Sequence, residues 1–175
     1  MQKIFVITLL TCLTFSSTSF AVPSSNEPSE ETDKDPYVHL VKQLTKYAQK
    51  FRGVPYVWGG SKPSGFDCSG FVSYVFAKFD MPLTHSSREL SKIGYDVDTQ
   101  QAYVGDLIFF ARSRGPNAPI GHVGIVVSND ENGIRFIHAS SSRGVTYDYL
   151  SDAYFSQRFV GVKRVIDALK DFGSD

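Results

Sequence analysis

One cysteine and two histidines carry the chemistry open to this chain. Cys68 stands in Gly65-Phe66-Asp67-Cys68-Ser69-Gly70-Phe71, shortly after Pro55-Tyr56-Val57-Trp58-Gly59-Gly60. His122 lies in Gly121-His122-Val123-Gly124, and His138 in Phe136-Ile137-His138-Ala139-Ser140. A thiol followed by two histidines in strand-like surroundings is the layout of a nucleophile, its base and the group that orients the base. Asp67 is placed to cap a helix, which puts Cys68 in the first turn, where unpaired N–H groups favour negative charge. A thiolate at such a position beside a histidine has a pKa lowered to roughly 3.5–7.5. The charge of Asp67 opposes this in part, but the expectation is a reactive thiolate. Gly65 and Gly70 are expected to let backbone and substrate approach the sulfur. The backbone N–H of Cys68 is a candidate donor to a developing oxyanion.

The two histidines flank the turn at residues 129–133. If five residues join the strands, Ser128 faces Ile134 and partner numbers sum to 262, which sets His138 opposite Gly124. His122 is then a diagonal neighbour on the same face, ~7–8 Å away at the backbone and within reach of an imidazole. An even loop would send the rings to opposite faces. The small Gly124 leaves room between them. This supports His122 as base, oriented by His138. His39 lies among polar neighbours on a helix and reads as solvated; His85 lies in a loop. A rival use of the same atoms is a zinc site with Cys68, His122 and His138 as ligands and water in the fourth position. No His-Glu-x-x-His pattern accompanies it, so the expectation is no metal and no cofactor.

These residues need elements to hold them. Asp35 is a good N-cap and Pro36 a good first helical residue. Tyr37, Leu40, Val41, Leu44, Tyr47, Ala48 and Phe51 recur at helical spacing, with Gly53 as the stop. A second helix starts near Asp67 and carries Phe71, Val72, Val75, Phe76 and Phe79 to a stop at Pro82. A short helix is expected over 87–93. Thereafter the period becomes strand-like over 106–110, 121–128, 134–139 and 159–166. Helices first and strands later predict an α+β domain with an antiparallel sheet.

The termini and composition bound the rest. Lys3, the apolar run over residues 4–15 and Ser19-Phe20-Ala21 predict a secretory signal peptide at 1–21, cut after Ala21. The run is short of the ~20 residues that span a bilayer, so no stable membrane insertion is expected after cleavage. Cleavage removes Cys12 and leaves Cys68 without an internal disulfide partner. Residues 22–34 read as an acidic disordered linker, and 35–175 as one domain. Without Lys3, Lys34 and the four linker carboxylates, the 18 basic and 18 acidic side chains become 16 and 14. That small excess argues against a nucleic-acid partner.

At these motifs the chain resembles the NlpC family of bacterial cell-wall cysteine peptidases. The matches run in order through Pro55–Gly60, Phe66–Gly70, Gly105-Asp106-Leu107-Ile108-Phe109-Phe110, Gly121–Ile125 and Phe136–Ser140, and residues 158–165 are similar to the family's last strand. The resemblance implies a minimal papain-like fold and hydrolysis of peptide bonds in peptidoglycan stems; with the signal peptide, the expectation is an exported monomer, periplasmic or secreted. It implies Cys68 as nucleophile, His122 as general base and His138 as orienter. It places Tyr56 beside the nucleophile, where its hydroxyl completes the oxyanion site, and has Asp67 and Ser69 line the substrate groove. The family usually carries Pro-Arg and a glutamine around residues 83–90. Here His85 takes the arginine's place and Leu90 the glutamine's, so the contacts to stem carboxylates differ, with His85 a candidate substrate-binding residue. Alternatives of other kinds are a wall-degrading toxin of the same fold, a non-catalytic peptidoglycan-binding module, and an acyltransferase or transglutaminase. The resemblance leaves D-glutamyl–diaminopimelate and D-alanyl–diaminopimelate bonds both open.

Overall fold

The structure is a computed structural model that describes residues 35–115 and 117–167. The expected signal peptide at 1–21, the linker at 22–34 and the chain beyond 167 lie outside the described residues.

Helix α1 (Pro36–Gln49) begins as its capping residues dictate: the Asp35 side chain accepts from the Tyr37 N–H at 2.8 Å. It ends at Gln49, before Gly53. Gly53, at φ +83°, instead turns the chain, and its N–H donates to the Val145 carbonyl at 2.9 Å. A hairpin of β1 (Ser61–Lys62) and β2 (Gly65–Phe66) leads into α2 (Cys68–Ala77). Asp67 caps α2 through the Gly70 N–H at 2.7 Å. The helix stops at Ala77, short of Pro82, and Asp80 at φ +57° reverses the chain. Helix α3 (Ser87–Leu90) is shorter than the expected 87–93.

Six antiparallel strands form the sheet. They are β3 (Tyr95–Val97), β4 (Leu107–Ala111), β5 (Ile120–Asp130), β6 (Gly133–Ser140), β7 (Gly144–Tyr149) and β8 (Phe159–Arg164), in the order β3-β8-β4-β5-β6-β7. A short α4 (Ala153–Ser156) precedes the last strand. The pleat sends alternate side chains to opposite faces. Leu107, Phe109, Val123, Ile125, Ile137 and Ala139 pack with the buried residues of α1 and α2 in the main core. Ile108, Phe110, Val126, Phe136 and Val162 form a second core with Phe155 of α4. The expected α+β class with helices on an antiparallel sheet is what the structure contains. Among the described residues no helix is long and apolar enough to cross a membrane.

The β5–β6 hairpin reaches the expected register by a different route. Asp130 pairs with Gly133, so two residues turn the chain rather than five, and Gly133 takes φ +88°. From that turn partner numbers sum to 263. An irregularity between Val126 and Ser128 then moves the pairing by one, and Val126 faces Phe136 and Ile125 faces Ile137. One extra residue on one strand is a β-bulge. Upstream of it the sum is 262, and His122 and His138 return to a common face.

Candidate active site

The rings of His122 and His138 meet edge to face, centroids 4.8 Å apart, and His122 Nε2 lies 2.7 Å from His138 Nδ1. Gly124 makes the approach fit: a Cβ there would lie 2.8 Å from the Phe136 ring and 3.3 Å from His138 Cβ. The line continues. His138 Nε2 is 2.8 Å from Asp148 Oδ2 on β7. His138 pairs with Thr146, so Asp148 stands to His138 as His138 stands to His122, diagonally one strand over. Asp148 was not among the sequence-derived candidates. The alternation of Val145, Tyr147 and Tyr149 with Thr146 and Asp148, after Gly144, was the signal for a strand that would deliver it.

The hydrogen bonds fix the tautomers if each neutral ring carries one proton. An ionised Asp148 only accepts, so His138 carries its proton on Nε2. His138 Nδ1 then accepts from His122 Nε2–H, and His122 Nδ1 is left with a free lone pair. Burial alone would push the Asp148 carboxyl up, but the hydrogen bonds from His138 and Arg143 more than offset it and hold it below the usual range. His122 keeps part of its surface on a groove, yet its ring lies among Phe110, His138 and Phe155. Burial first, then His138, lower its pKa to about 3, with Asp148 opposing. His122 is therefore a neutral imidazole near neutral pH.

Cys68 sits in the first turn of α2, 8% exposed, with Sγ 3.9 Å from the carbonyl of Gly121, the residue before His122. The expectation of a low thiol pKa does not hold. Burial, followed by the Asp67 carboxylate, pushes it up to about 11, against the pull of backbone N–H groups of Val123, Ser69 and Cys68 itself. A helix N-terminus favours an anion only where solvent or a cation helps carry the charge; here the cap is itself an anion and the sulfur is enclosed. Tyr56 is held by a bridge to Phe66. Burial, then Cys68 and Asp67, raise its phenol above the usual range, so it stays a neutral donor beside the thiol.

Asp67 and Ser69 are engaged with each other and with the cap of α2, and neither is among the residues lining the cavity over the histidines. Asp67 accepts from the N–H groups of Gly70 and Gly59 and from the Ser69 hydroxyl at 3.1 Å. His85 Nε2 adds a contact of 2.9 Å to each Asp67 oxygen. His85 thus braces the cap of α2, and Asp67 rather than a substrate carboxylate is its partner. The glycines expected to admit substrate admit protein instead: a Cβ on Gly70 would lie 2.0 Å from the Gly60 carbonyl oxygen, and one on Gly65 would strike Val57.

A cavity of about 530 Å³ opens over the histidines, lined by Tyr56, Arg112, Gly121, His122, His138, Arg143 and Asp148 among others. Among the described residues no group of three or more His, Cys, Asp or Glu is arranged to hold a metal ion. The arrangement is suited to moving one proton: a buried thiol, a neutral imidazole whose Nδ1 lone pair is left free by its hydrogen bond to His138, and a carboxylate at the far end.

The NlpC/P60 family profile matches residues 53–164. A Haemophilus influenzae protein named a probable endopeptidase is 34% identical over 158 residues, covering 90% of this chain and 91% of its own length. An Escherichia coli protein named murein DD-endopeptidase MepS/murein LD-carboxypeptidase is 33% identical, covering 81% of this chain and 75% of its own length. Among solved structures, an NlpC/P60 family protein from Bacillus cereus superposes with a TM-score of 0.66 at 28% identity. That match covers 72% of this chain and 40% of the Bacillus cereus one.

Proposed function

The chain belongs to the NlpC/P60 family, and from that premise we propose that it is a cysteine peptidase that hydrolyses peptide bonds in peptidoglycan stems. The observation that carries the reading is the line His122–His138–Asp148 at 2.7 and 2.8 Å, with Cys68 Sγ 3.9 Å from the carbonyl of Gly121, the residue before His122. Nothing in a core needs three titratable groups hydrogen-bonded in series; a base that must present one lone pair does.

In this reading Cys68 Sγ attacks the scissile carbonyl and passes its proton to His122 Nδ1 as the S–C bond forms. His138 and Asp148 hold the imidazole and stabilise the imidazolium. The Cys68 N–H and the Tyr56 hydroxyl face the oxyanion. Collapse of the tetrahedral intermediate breaks the C–N bond, and His122 returns the proton to the leaving amine. Water, activated by the same base, then cleaves the thioester. Asp67, Ser69 and His85 hold the nucleophile's helix end. The enzyme acts as an exported monomer, with residues 1–21 as its signal peptide, 22–34 as a linker and 35–175 as the peptidase domain. The apolar run over residues 4–15 and a wall substrate both support a location in the periplasm or outside the cell.

Purified peptidoglycan incubated with the mature protein should release stem peptides identifiable by mass. Cys68→Ala should release none while keeping its melting transition, because a small buried side chain is replaced by another. Full release by a folded Cys68→Ala protein would end the cysteine-peptidase reading.

A further inference from the structure

Ser141, Ser142 and Arg143 join β6 to β7 between the paired ends Ser140 and Gly144. A surface turn is mobile unless its backbone is tied down, and this one is tied down. Gly144 takes φ +69°, and a Cβ there would collide with the carbonyl of Val54. Both the left-handed backbone and the close approach require glycine. The next residue adds two bonds: the Val145 N–H donates to the Val54 carbonyl at 2.9 Å, and the Val145 carbonyl accepts from the Gly53 N–H at 2.9 Å. The turn is thereby fastened to the segment that delivers Tyr56, two positions after Val54. Arg143 extends from a backbone held one residue away.

Its guanidinium ends on the relay. Arg143 Nη2 lies 2.5 Å from Asp148 Oδ2, the same oxygen that accepts from His138 Nε2 at 2.8 Å. Among the described residues, His138 and Arg143 are the two side chains bonded to this carboxylate. The Asp148 side chain is only 11% exposed, and Arg143 is 53% exposed. A charge so enclosed needs a counter-charge as well as a hydrogen bond, and a neutral imidazole brings none. Asp148 also lines the cavity over the histidines, where water would compete for it. Arg143 supplies the missing charge from the cavity side. Its positive charge opposes an imidazolium on His122, but that charge is half in solvent and screened, whereas its hydrogen bond to Oδ2 is direct.

We propose that Arg143 is a positioning residue of the relay. It holds Asp148 against His138, so that His138 keeps its proton on Nε2 and His122 keeps its lone pair on Nδ1. It acts through Asp148 and makes no contact with the substrate. The proposal rests on the hydrolase reading and deepens it. The fastening of the Gly144 turn to Val54 is what puts the guanidinium within reach, so the segment carrying Tyr56 and the far end of the relay are built as one unit.

The test uses the full mature chain and a defined muropeptide. Arg143→Ala should lower kcat about tenfold, the low end for a hydrogen bond to a charged group, with KM little changed. Guanidinium chloride at millimolar concentration has room in the cavity of about 530 Å³ and should restore most of the rate. Arg143→Lys should keep most of it, since an ammonium also donates to Oδ2. In an Asp148→Asn protein, Arg143→Ala should cost nothing further, because groups that act through one another are not additive. A second readout needs no substrate. The ring-nitrogen shifts of His138, measured by NMR, should show the proton on Nε2 in the wild type and a mixture of tautomers in Arg143→Ala, reversed by guanidinium. A raised KM at unchanged kcat, an equal loss in the Asp148→Asn background, or an unchanged tautomer would overturn the assignment. A tautomer that shifts in a protein that releases no peptide would keep the positioning role and sink the peptidase reading. Cleavage and tautomer both untouched by Arg143→Ala would do the reverse.

Discussion

Cys68 should be slow to alkylate at neutral pH. Its thiol is pushed from an ordinary 9.0 to about 11 by burial and then by Asp67. Two pKa units disfavour the thiolate by roughly 3 kcal/mol. At pH 7 the thiolate fraction falls to about one in 10⁴, where an unburied thiol of pKa 9 holds about one in 100. Since only the thiolate reacts, iodoacetamide should label the native protein about 100-fold more slowly than the denatured chain. The native rate should climb about tenfold per pH unit until near 11. Labelled and unlabelled protein are counted by mass at intervals, with denatured protein as calibration. Asp67→Asn keeps a good N-cap and removes the carboxylate, so it should label faster. Hydrolysis does not share this slowness, because the proton leaves for His122 as the bond forms. A native labelling rate that is flat between pH 5 and 8 would refute the reasoning, since a thiolate–imidazolium pair gives that result.

Asp148→Asn should lower kcat/KM about 30-fold with little change in KM. With one imidazole between them, a carboxylate ~8 Å from the His122 imidazolium at an effective dielectric of 20 is worth ~2 kcal/mol; steady-state rates on a defined muropeptide check it, and an unchanged kcat would show Asp148 to be only a packing group. Stability should fall in acid. The pKa of His122 is about 3 folded against 6.5 unfolded, so the unfolded chain binds the proton first, and the contribution present above about 6.5 is lost as pH falls toward 3. The loss is roughly 3 kcal/mol by pH 4.5. Melting curves at pH 7, 5.5 and 4.5 should therefore drop less steeply for His122→Gln than for the wild type, and parallel slopes would contradict the assignment.

Some of this was legible in the residues and some was not, for physical reasons. Asp35 and Asp67 announced their helices because a cap is a local event, settled within three residues. The strands carrying His122 and His138 were legible because both bury alternate apolar side chains. Their joint was misjudged: a two-residue turn and a bulge at the Val126–Ser128 step have the same net offset as a five-residue loop, and pattern alone does not separate the two. Asp148 was missed because β7 is half polar, and its partner is known only once β6 is placed beside it. The low thiol pKa was an inference from one helix end. Enclosure of the sulfur is a property of the whole core and leaves no mark near residue 68. The same holds for His85, whose partner lies 18 positions away.

The bulge between Val126 and Ser128 also separates two parts of one hairpin. Upstream of it the pairing is held by Ile125–Ile137 and Val126–Phe136, all four side chains buried. Downstream lie Asn129 and Asp130, both exposed, with Glu131 and Asn132 at the tip. Alignment of the histidines is thus decided by the buried half, and the tip takes no part in it. Across descendants of this chain, insertions and deletions at residues 131–132 should accumulate without cost to the reaction. A single deletion at Val127 would turn one histidine away from the other while leaving every residue of the relay in place.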